Sequence, residues 1–470
     1  MRAANTAVVA LTFLSAAGIP CRAAESTLPA SLSLSLRETI ERAHLNNKEL
    51  QMQAKEIRAA RADRLGAVTP FLPRLDIDGG YTRNSATLFE NGDASFAADS
   101  DKDIGVFTGY KNTLRAGGTV AQSIYRGGGD YAALKKADLE IRVREETLRA
   151  LKLDVEFEAK RLYHGLLLAH ENVCIAENLL AQAQAHYAVV ARKFEQGTSS
   201  RFDLLQSKVH VSLLLPQVVT ARNSVDLTDA DLKKLLSLRM GDRVVLTGRL
   251  EHASIAIDEE RFLARALARR PEMVLKALGV DMEAWAIRQA RATRLPRVDA
   301  VLDTFFQSDK AGDLFNSQHN LWNAGVTVGV PIFDGFYTKS RVDAAWARYA
   351  RAGLSRENTE EETAVAVRRA CLDLRQASAI IESQRDNVDE AREALRISEV
   401  AYDNGVGTNL DVLDSLVSLS QAQQYYASGI YEYLMARAAL DRAMGRARRD
   451  RRREAGRTAD RGGIECATGC

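Results

Sequence analysis

Proline is missing from two long stretches of this chain, Arg74 to Leu215 and everything after Pro331, and there are only eight in 470 residues. Proline breaks helix interiors, so its absence lifts the main local obstacle to long helices. Both stretches are rich in Ala, Leu, Glu, Arg and Gln, which favour helices. Long hydrophobic runs are also missing. Past the first residues none reaches the ~18–20 apolar residues of a membrane helix, so contact with a membrane would have to be made by strands. Charge of one sign is lacking too, with 64 basic against 62 acidic residues, which removes a whole-protein case for nucleic acid binding.

Catalytic and metal patterns are absent. His164, His170, His186 and His210 share no spacing of the HExxH kind, and no CxxC occurs. Gly405-Val406-Gly407 has no strand before it, so a dinucleotide loop is not expected. Gly127–Gly129 lacks the Lys-Ser/Thr of a phosphate loop and reads as a strand-to-helix hinge. No enzyme activity, metal or cofactor is expected.

The chain opens MRAANTAVVALTFLSAAGIPCRAA, a basic start, an apolar run and small residues, which reads as a secretory signal over 1–24. Pro20 fits a lipidated Cys21 poorly, so cleavage near Ala24 is preferred. Cys174 and Cys371 lie in helical patterns and are expected to be buried. Cys466 and Cys470 can pair in an oxidising compartment, which sequence does not decide.

A duplication runs through most of the chain. NGVGTNLDVLDSLVSL (404–419) echoes QGTSSRFDLLQSKVHV (196–211), with Gly197, Asp203 and Leu205 matching Gly405, Asp411 and Leu413 at a spacing of 208. FLPRLD (71–76) resembles RLPRVD (294–299) at a spacing of 223. The spacing drops by 15 between Tyr81 and Asn112, which places a longer loop in the first copy. It then holds across the long helical stretch, because a one-residue slip there would rotate the buried face. Two fused units are expected, 25–250 and 251–445, with a basic, disordered tail over 446–470.

Each unit reads helix, strand, strand, helix, turn, helix. Helices are expected over Leu36–Val68, Asp130–Glu195, Phe202–Arg239, Asp258–Thr293, Thr338–Asp403 and Leu410–Met444. Pro216 should interrupt and kink the third of these. Strands are expected over Leu75–Tyr81, Leu114–Ile124, Val298–Phe306 and Trp322–Ile332. In the last, Trp322, Ala324, Val326, Val328, Val330 and Ile332 alternate with Asn323, Gly325, Thr327, Gly329 and Pro331. An apolar and a polar face at about ten residues per strand suits a barrel with lipid outside and water inside, and equally a half-buried strand of a soluble sheet.

If lipid is the solvent, four strands cannot close a barrel, since the smallest need about eight. An open edge in lipid leaves amides unpaired at several kcal/mol each. Several chains must then share one barrel, and three would supply twelve strands. Asp130–Glu195 would be roughly 100 Å long at 1.5 Å per residue and must leave the bilayer. Leu134, Ile141, Leu148, Val155, Leu162, Ala169, Ala176 and Ala183 recur every seven residues and mark a coiled-coil seam.

The doubled unit, with GVTVGVPIFDGFYTKSRVDAA (325–345) and YDNGVGTNLDVLDSLVSLSQAQ (402–423), resembles the outer-membrane efflux proteins, the TolC-like channels, from about Leu36 to Gly445. The resemblance implies a mainly α protein with a membrane β-barrel part: a homotrimer with a twelve-stranded outer-membrane barrel and a helical periplasmic tunnel. It implies a periplasmic adaptor and, through it, an inner-membrane pump as partners, and passive export by efflux or type I secretion. Gly197 and Gly405 would turn the chain at two periplasmic tips. Gly197, Thr198, Ser199, Ser200 and Arg201, and Gly405, Val406, Gly407, Thr408, Asn409 and Leu410, would meet the adaptor. Asp411 and Asp414 would form carboxylate rings at the mouth, Tyr402 would help close it, and Asp203 is the first-copy counterpart, which capping of its helix also explains. The family's gating arginine falls at Gly407 and is missing. A soluble periplasmic coiled-coil adaptor is the competing reading; it leaves the paired amphipathic strands unexplained.

Overall fold

The computed structural model describes residues 31–83, 112–308, 310–316 and 320–446. The signal segment with Cys21, the first copy's longer loop and the tail with Cys466 and Cys470 lie outside them.

Two short helices, α1 (Leu36–Asn46) and α2 (Lys48–Val68), stand where one was expected. Asn47 leaves the helical region at φ −60°, ψ 125°, and its carboxamide oxygen accepts from the amides of Glu49 (2.9 Å) and Leu50 (3.2 Å). A side chain that satisfies the first amides of a new helix ends the old one at little cost. The second half breaks likewise, between α5 (Glu259–Arg269) and α6 (Pro271–Ala292). Arg270, 223 residues after Asn47, takes φ −65°, ψ 127° because the ring of Pro271 disfavours the α region before it.

Two 67-residue helices, α3 (Gly129–Glu195) and α7 (Tyr337–Asp403), form the long axis, each about 100 Å at 1.5 Å per residue. Each turns into a shorter antiparallel partner, α4 (Arg201–Leu236) and α8 (Asn409–Ala443). Along the expected seam of α3, Val155, Leu162, Ala169, Ala176 and Ala183 are buried, while Leu134, Ile141 and Leu148 are half-buried. Cys371 is buried but Cys174 is exposed, since it falls between the buried positions Ala169 and Ile175 and off the seam. Pro216 does not interrupt α4. One amide is lost there, but Leu214 and Val218 on either side are buried and hold the helix in place.

The strands β2 (Arg74–Arg83), β3 (Asn112–Arg126), β5 (Arg297–Ser308) and β6 (Asn320–Gly329) form one antiparallel sheet in that order. Paired residues share a face, and the register gathers the apolar ones. Leu75, Ile77 and Tyr81 stand opposite Val120, Gly118 and Leu114; Val120 meets Leu302, and Leu302 meets Ala324. Ile77 is 85% and Trp322 71% exposed on this face. The other face carries Asp76, Asp78, Arg115, Thr119, Asp299, Asp303 and Asn323, with Thr119 donating to Asp303 at 2.7 Å. A bulge lies between Ser123 and Tyr125 of β3. β6 ends at Gly329 rather than Ile332, because Pro331 has no amide to give a ladder. β2 and β6 are the sheet's edges.

A parallel pair that sequence did not suggest, β1 (Ser31–Leu34) with β4 (Arg243–Leu246), joins the start of the first half to its end. Leu34 packs there with Ile40, Leu162, Leu166, Leu232 and Leu236. Each fully buried leucine of this kind contributes about 1.5–3 kcal/mol.

Candidate functional site at the two hairpin tips

Both tips are built by the same local chemistry. α3 ends when Gly197 takes φ 75°, and α7 when Gly405 takes φ 74°. Side chains with a Cβ rarely adopt that region, hence glycine. The exposed helix ends are tied in matching ways. Gly197 and Thr198 amides donate to the carbonyls of Phe194 (2.9 Å) and Lys193 (2.8 Å), and Gly405 and Val406 to Tyr402 (3.2 Å) and Ala401 (3.0 Å).

The returning helices start with matching capping boxes. In the first, the Ser200 hydroxyl accepts from the Asp203 amide (3.0 Å) and donates to the Asp203 carboxylate (2.6 Å). In the second, Thr408 and Asp411 do the same at 3.2 and 2.7 Å. Hydrogen bonds from the Thr408 hydroxyl, then from its amide, hold the Asp411 carboxyl below the usual range. Asp411 and Asp414 share one exposed face of α8, one turn apart.

Between the tips the structure brings together side chains that sequence reading kept apart. Asn409 is 3% exposed. Its carboxamide oxygen accepts from the Ser207 hydroxyl (2.9 Å) and from His186 Nε2 (2.8 Å). Its nitrogen donates to Gln206 Oε1 (2.9 Å) and the Asp203 carbonyl (3.5 Å). The acceptors around the nitrogen fix the amide's orientation, and this in turn places the imidazole proton on Nε2. Asn409 was expected among the adaptor contacts. Its side chain is spent inside the protein, which leaves the exposed Val406 and Leu410 as the apolar surface of that tip.

Tyr402 is buried, its ring edge-on to His186 with centroids 5.1 Å apart. The Lys193 ammonium lies 4.2 Å from the Tyr402 ring centre, donates to the Tyr402 carbonyl at 2.7 Å and pairs with Asp403 at 3.3 Å. The Tyr402 hydroxyl is buried with no hydrogen-bond partner among the described residues. The local contribution of Tyr402 is therefore its ring and carbonyl. At Gly407 the turn is tight: a Cβ there would lie 3.0 Å from both Ala401 Cβ and the Tyr402 nitrogen, so any side chain requires these neighbours to give by a few tenths of an ångström. Burial holds the His186 imidazole below its ordinary value and Lys193 adds to this, against the Asn409 bond, Glu399 and Asp403. His210 is lowered by burial and by His186, with Asp414 opposing.

Lys193 and His186 carried no sequence signal beyond a helical pattern. Among the described residues no group of three or more His, Cys, Asp or Glu side chains could hold a metal ion, and no helix is long and apolar enough to cross a membrane.

A long helical body on a small amphipathic sheet defines a class of protein, and relatives of known identity share it. The profile of the family described as "Outer membrane efflux protein" matches residues 39–237 and 262–446, and the chain belongs to that family. The chain is 24% identical over 411 residues to the alkaline protease secretion protein AprF of Pseudomonas aeruginosa, spanning 84% of this chain and 81% of that protein. It is 23% identical over 439 residues to the outer membrane protein TolC of Escherichia coli K12, spanning 87% and 82%. The crystal structure of the outer membrane protein VceC from Vibrio cholerae shares the fold, with TM-score 0.74, 18% identity and coverage of 88% of this chain and 96% of that one. Family membership sets the soluble adaptor aside.

Proposed function

We propose that three copies of this chain form a passive export duct across the outer membrane and periplasm, the outer-membrane channel of a tripartite efflux or type I secretion system. The four-stranded sheet carries the reading. One face is apolar and open to solvent in the single chain, and β2 and β6 have unpaired edges. Lipid accommodates the face but not the edges. Pairing β2 of one copy with β6 of the next satisfies both, and three copies close twelve strands within the known size range. The polar face then lines the lumen, and the helices extend about 100 Å into the periplasm.

The tips are the far end of that tunnel. In this reading Asp411 and Asp414 face the axis, so three chains place six carboxylates around one opening. Such rings favour cations. Their crowding opposes the lowering that Thr408 gives Asp411 within each copy. Tyr402, gripped by Lys193, anchors the second tip. The adaptor, which links the duct to an inner-membrane pump, meets Gly197, Thr198, Ser199, Ser200, Arg201, Gly405, Val406, Gly407, Thr408 and Leu410. Energy and cargo choice come from the pump.

The test is the mass and conductance of the protein extracted from outer membranes in detergent. A trimer that forms cation-preferring channels in planar bilayers is expected. A stable monomer without conductance would overturn the proposal.

A further inference from the structure

The Asn409 cluster is placed where it can do more than hold the fold. Its members come from three of the four helices that meet at the tips: His186 on α3, Ser207, Gln206 and the Asp203 carbonyl on α4, Asn409 on α8. All four hydrogen bonds therefore run from the second hairpin to the first. Asn409 stands two residues before Asp411 and five before Asp414, so whatever fixes Asn409 fixes the carboxylates at the mouth.

We propose that Asn409 is the latch of the mouth and that His186 is its positioning residue: a neutral imidazole keeps the second tip tied to the first, and a gained proton releases it. The proposal rests on the duct reading and adds to it a signal, periplasmic acid, and the group that receives it.

The charges around His186 explain the direction. On its own helix Lys193 lies near by, its ammonium over the same tyrosine ring that His186 touches. From α4 comes His210, whose Nε2 is buried without a hydrogen-bond partner among the described residues. α7 contributes Tyr402 and the carboxylates Glu399 and Asp403, which favour an imidazolium, and Asp414 of α8 acts on His210. Burial, with a smaller part from Lys193, outweighs the Asn409 bond and the two carboxylates, so the latched state holds His186 below its ordinary value. Releasing the tip lets the ring reach water and regain that value. The released state then binds the proton more strongly, so the latch is at full strength above the ordinary imidazole value, about 6.5, and weakens as pH falls below it. The Nε2–H to Asn409 bond survives protonation. What fails is the tolerance of a charge on the buried ring itself, to which the half-buried Lys193 adds a smaller repulsion.

Single-channel recording of the reconstituted full-length protein between pH 7.5 and 5.5 tests this. Wild type should open progressively below about pH 6.5, the open-to-closed ratio changing roughly tenfold for each unit separating the two states' values. His186→Gln, which can still donate to Asn409 but does not titrate, should stay closed throughout. His210→Gln should keep the wild-type response. Asn409→Ala should be open at pH 7.5 and 5.5 alike. Asn409→Asp should reverse the sense: an unpaired buried carboxylate opens the mouth at pH 7.5, and an imidazolium–carboxylate pair closes it at 5.5. A purely structural role for Asn409 predicts no such reversal. An unchanged titration in His186→Gln, or the wild-type sense in Asn409→Asp, would overturn the latch while leaving the duct intact. Wild-type protein that never conducts at any pH would overturn the duct reading and the latch with it.

Discussion

The two hairpin tips share one backbone plan and differ in almost every long side chain. Gly197 and Gly405, and the Ser200–Asp203 and Thr408–Asp411 boxes, are matched at a spacing of 208 residues. At that spacing Tyr402 corresponds to Phe194, Asn409 to Arg201, Lys193 to Ala401, His186 to Ala394 and Asp414 to Gln206. Phe194 is 39% exposed where Tyr402 is buried. The first tip thus supplies the Lys193 ammonium, the His186 imidazole, the Ser207 hydroxyl and Gln206 that receive the second tip, and the second supplies the amide, ring and second carboxylate. Duplication provides the turn, and divergence after it gives the two copies different side chains at their contact.

The comparison can be broken most severely at the carboxylates. Asp411→Ala with Asp414→Ala should weaken block by a multivalent cation on the order of tenfold or more in planar bilayers, because the proposed ring of six charges would be lost. Asp203→Ala at the first tip should leave the block near wild type. An equal loss from both tips would remove the asymmetry. The turn glycines should behave alike instead. Gly197→Val and Gly405→Val each force a branched side chain to positive φ, at a cost of ~1–3 kcal/mol, read as a lowered urea midpoint of the solubilised protein. The caps come next: Ser200→Ala and Thr408→Ala should each cost about 1 kcal/mol by the same measurement. Smallest is Tyr402→Phe. The hydroxyl it removes has no partner among the described residues, so the stability read from the midpoint should change by less than ~0.5 kcal/mol, whereas loss of the ring in Tyr402→Ala should cost ~3 kcal/mol.

Elements whose evidence is local were legible in the sequence. The long helices start and stop within a few residues of where Gly197, Gly405 and the seven-residue seam place them. Alternation in β2, β3 and β6 assigned the apolar face, and the register places Leu75, Ile77, Tyr81, Leu114, Val120, Trp322, Ala324, Val326 and Val328 together on it, while Ile124 falls at the bulge and Val330 and Ile332 fall beyond β6. The break at Arg270 had a visible cause, Pro271 in a first-turn position, and Asn47 before Lys-Glu is a cap signal; the helical pattern running through both outweighed them. The β1–β4 pair was out of reach, since four-residue strands so far apart carry no pairing signal. The same holds for the Asn409 cluster. Its partners lie more than 200 positions away, and a polar residue beside a glycine turn reads as surface until the packing of four helices covers it.

The parallel clasp between Ser31–Leu34 and Arg243–Leu246 also imposes an order on the protein's biogenesis. A polypeptide delivered amino end first cannot fasten it until more than 200 further residues have followed. Once Arg126 has followed, and until Arg297–Ser308 arrives after the clasp itself, the hairpin of β2 and β3 shows Leu75, Ile77 and Val120 to water with no β5 to pair its inner edge. Apolar surface and an unpaired strand edge shown at that stage are what make an incomplete chain prone to aggregate, so the strand order leaves this hairpin exposed before its neighbour exists.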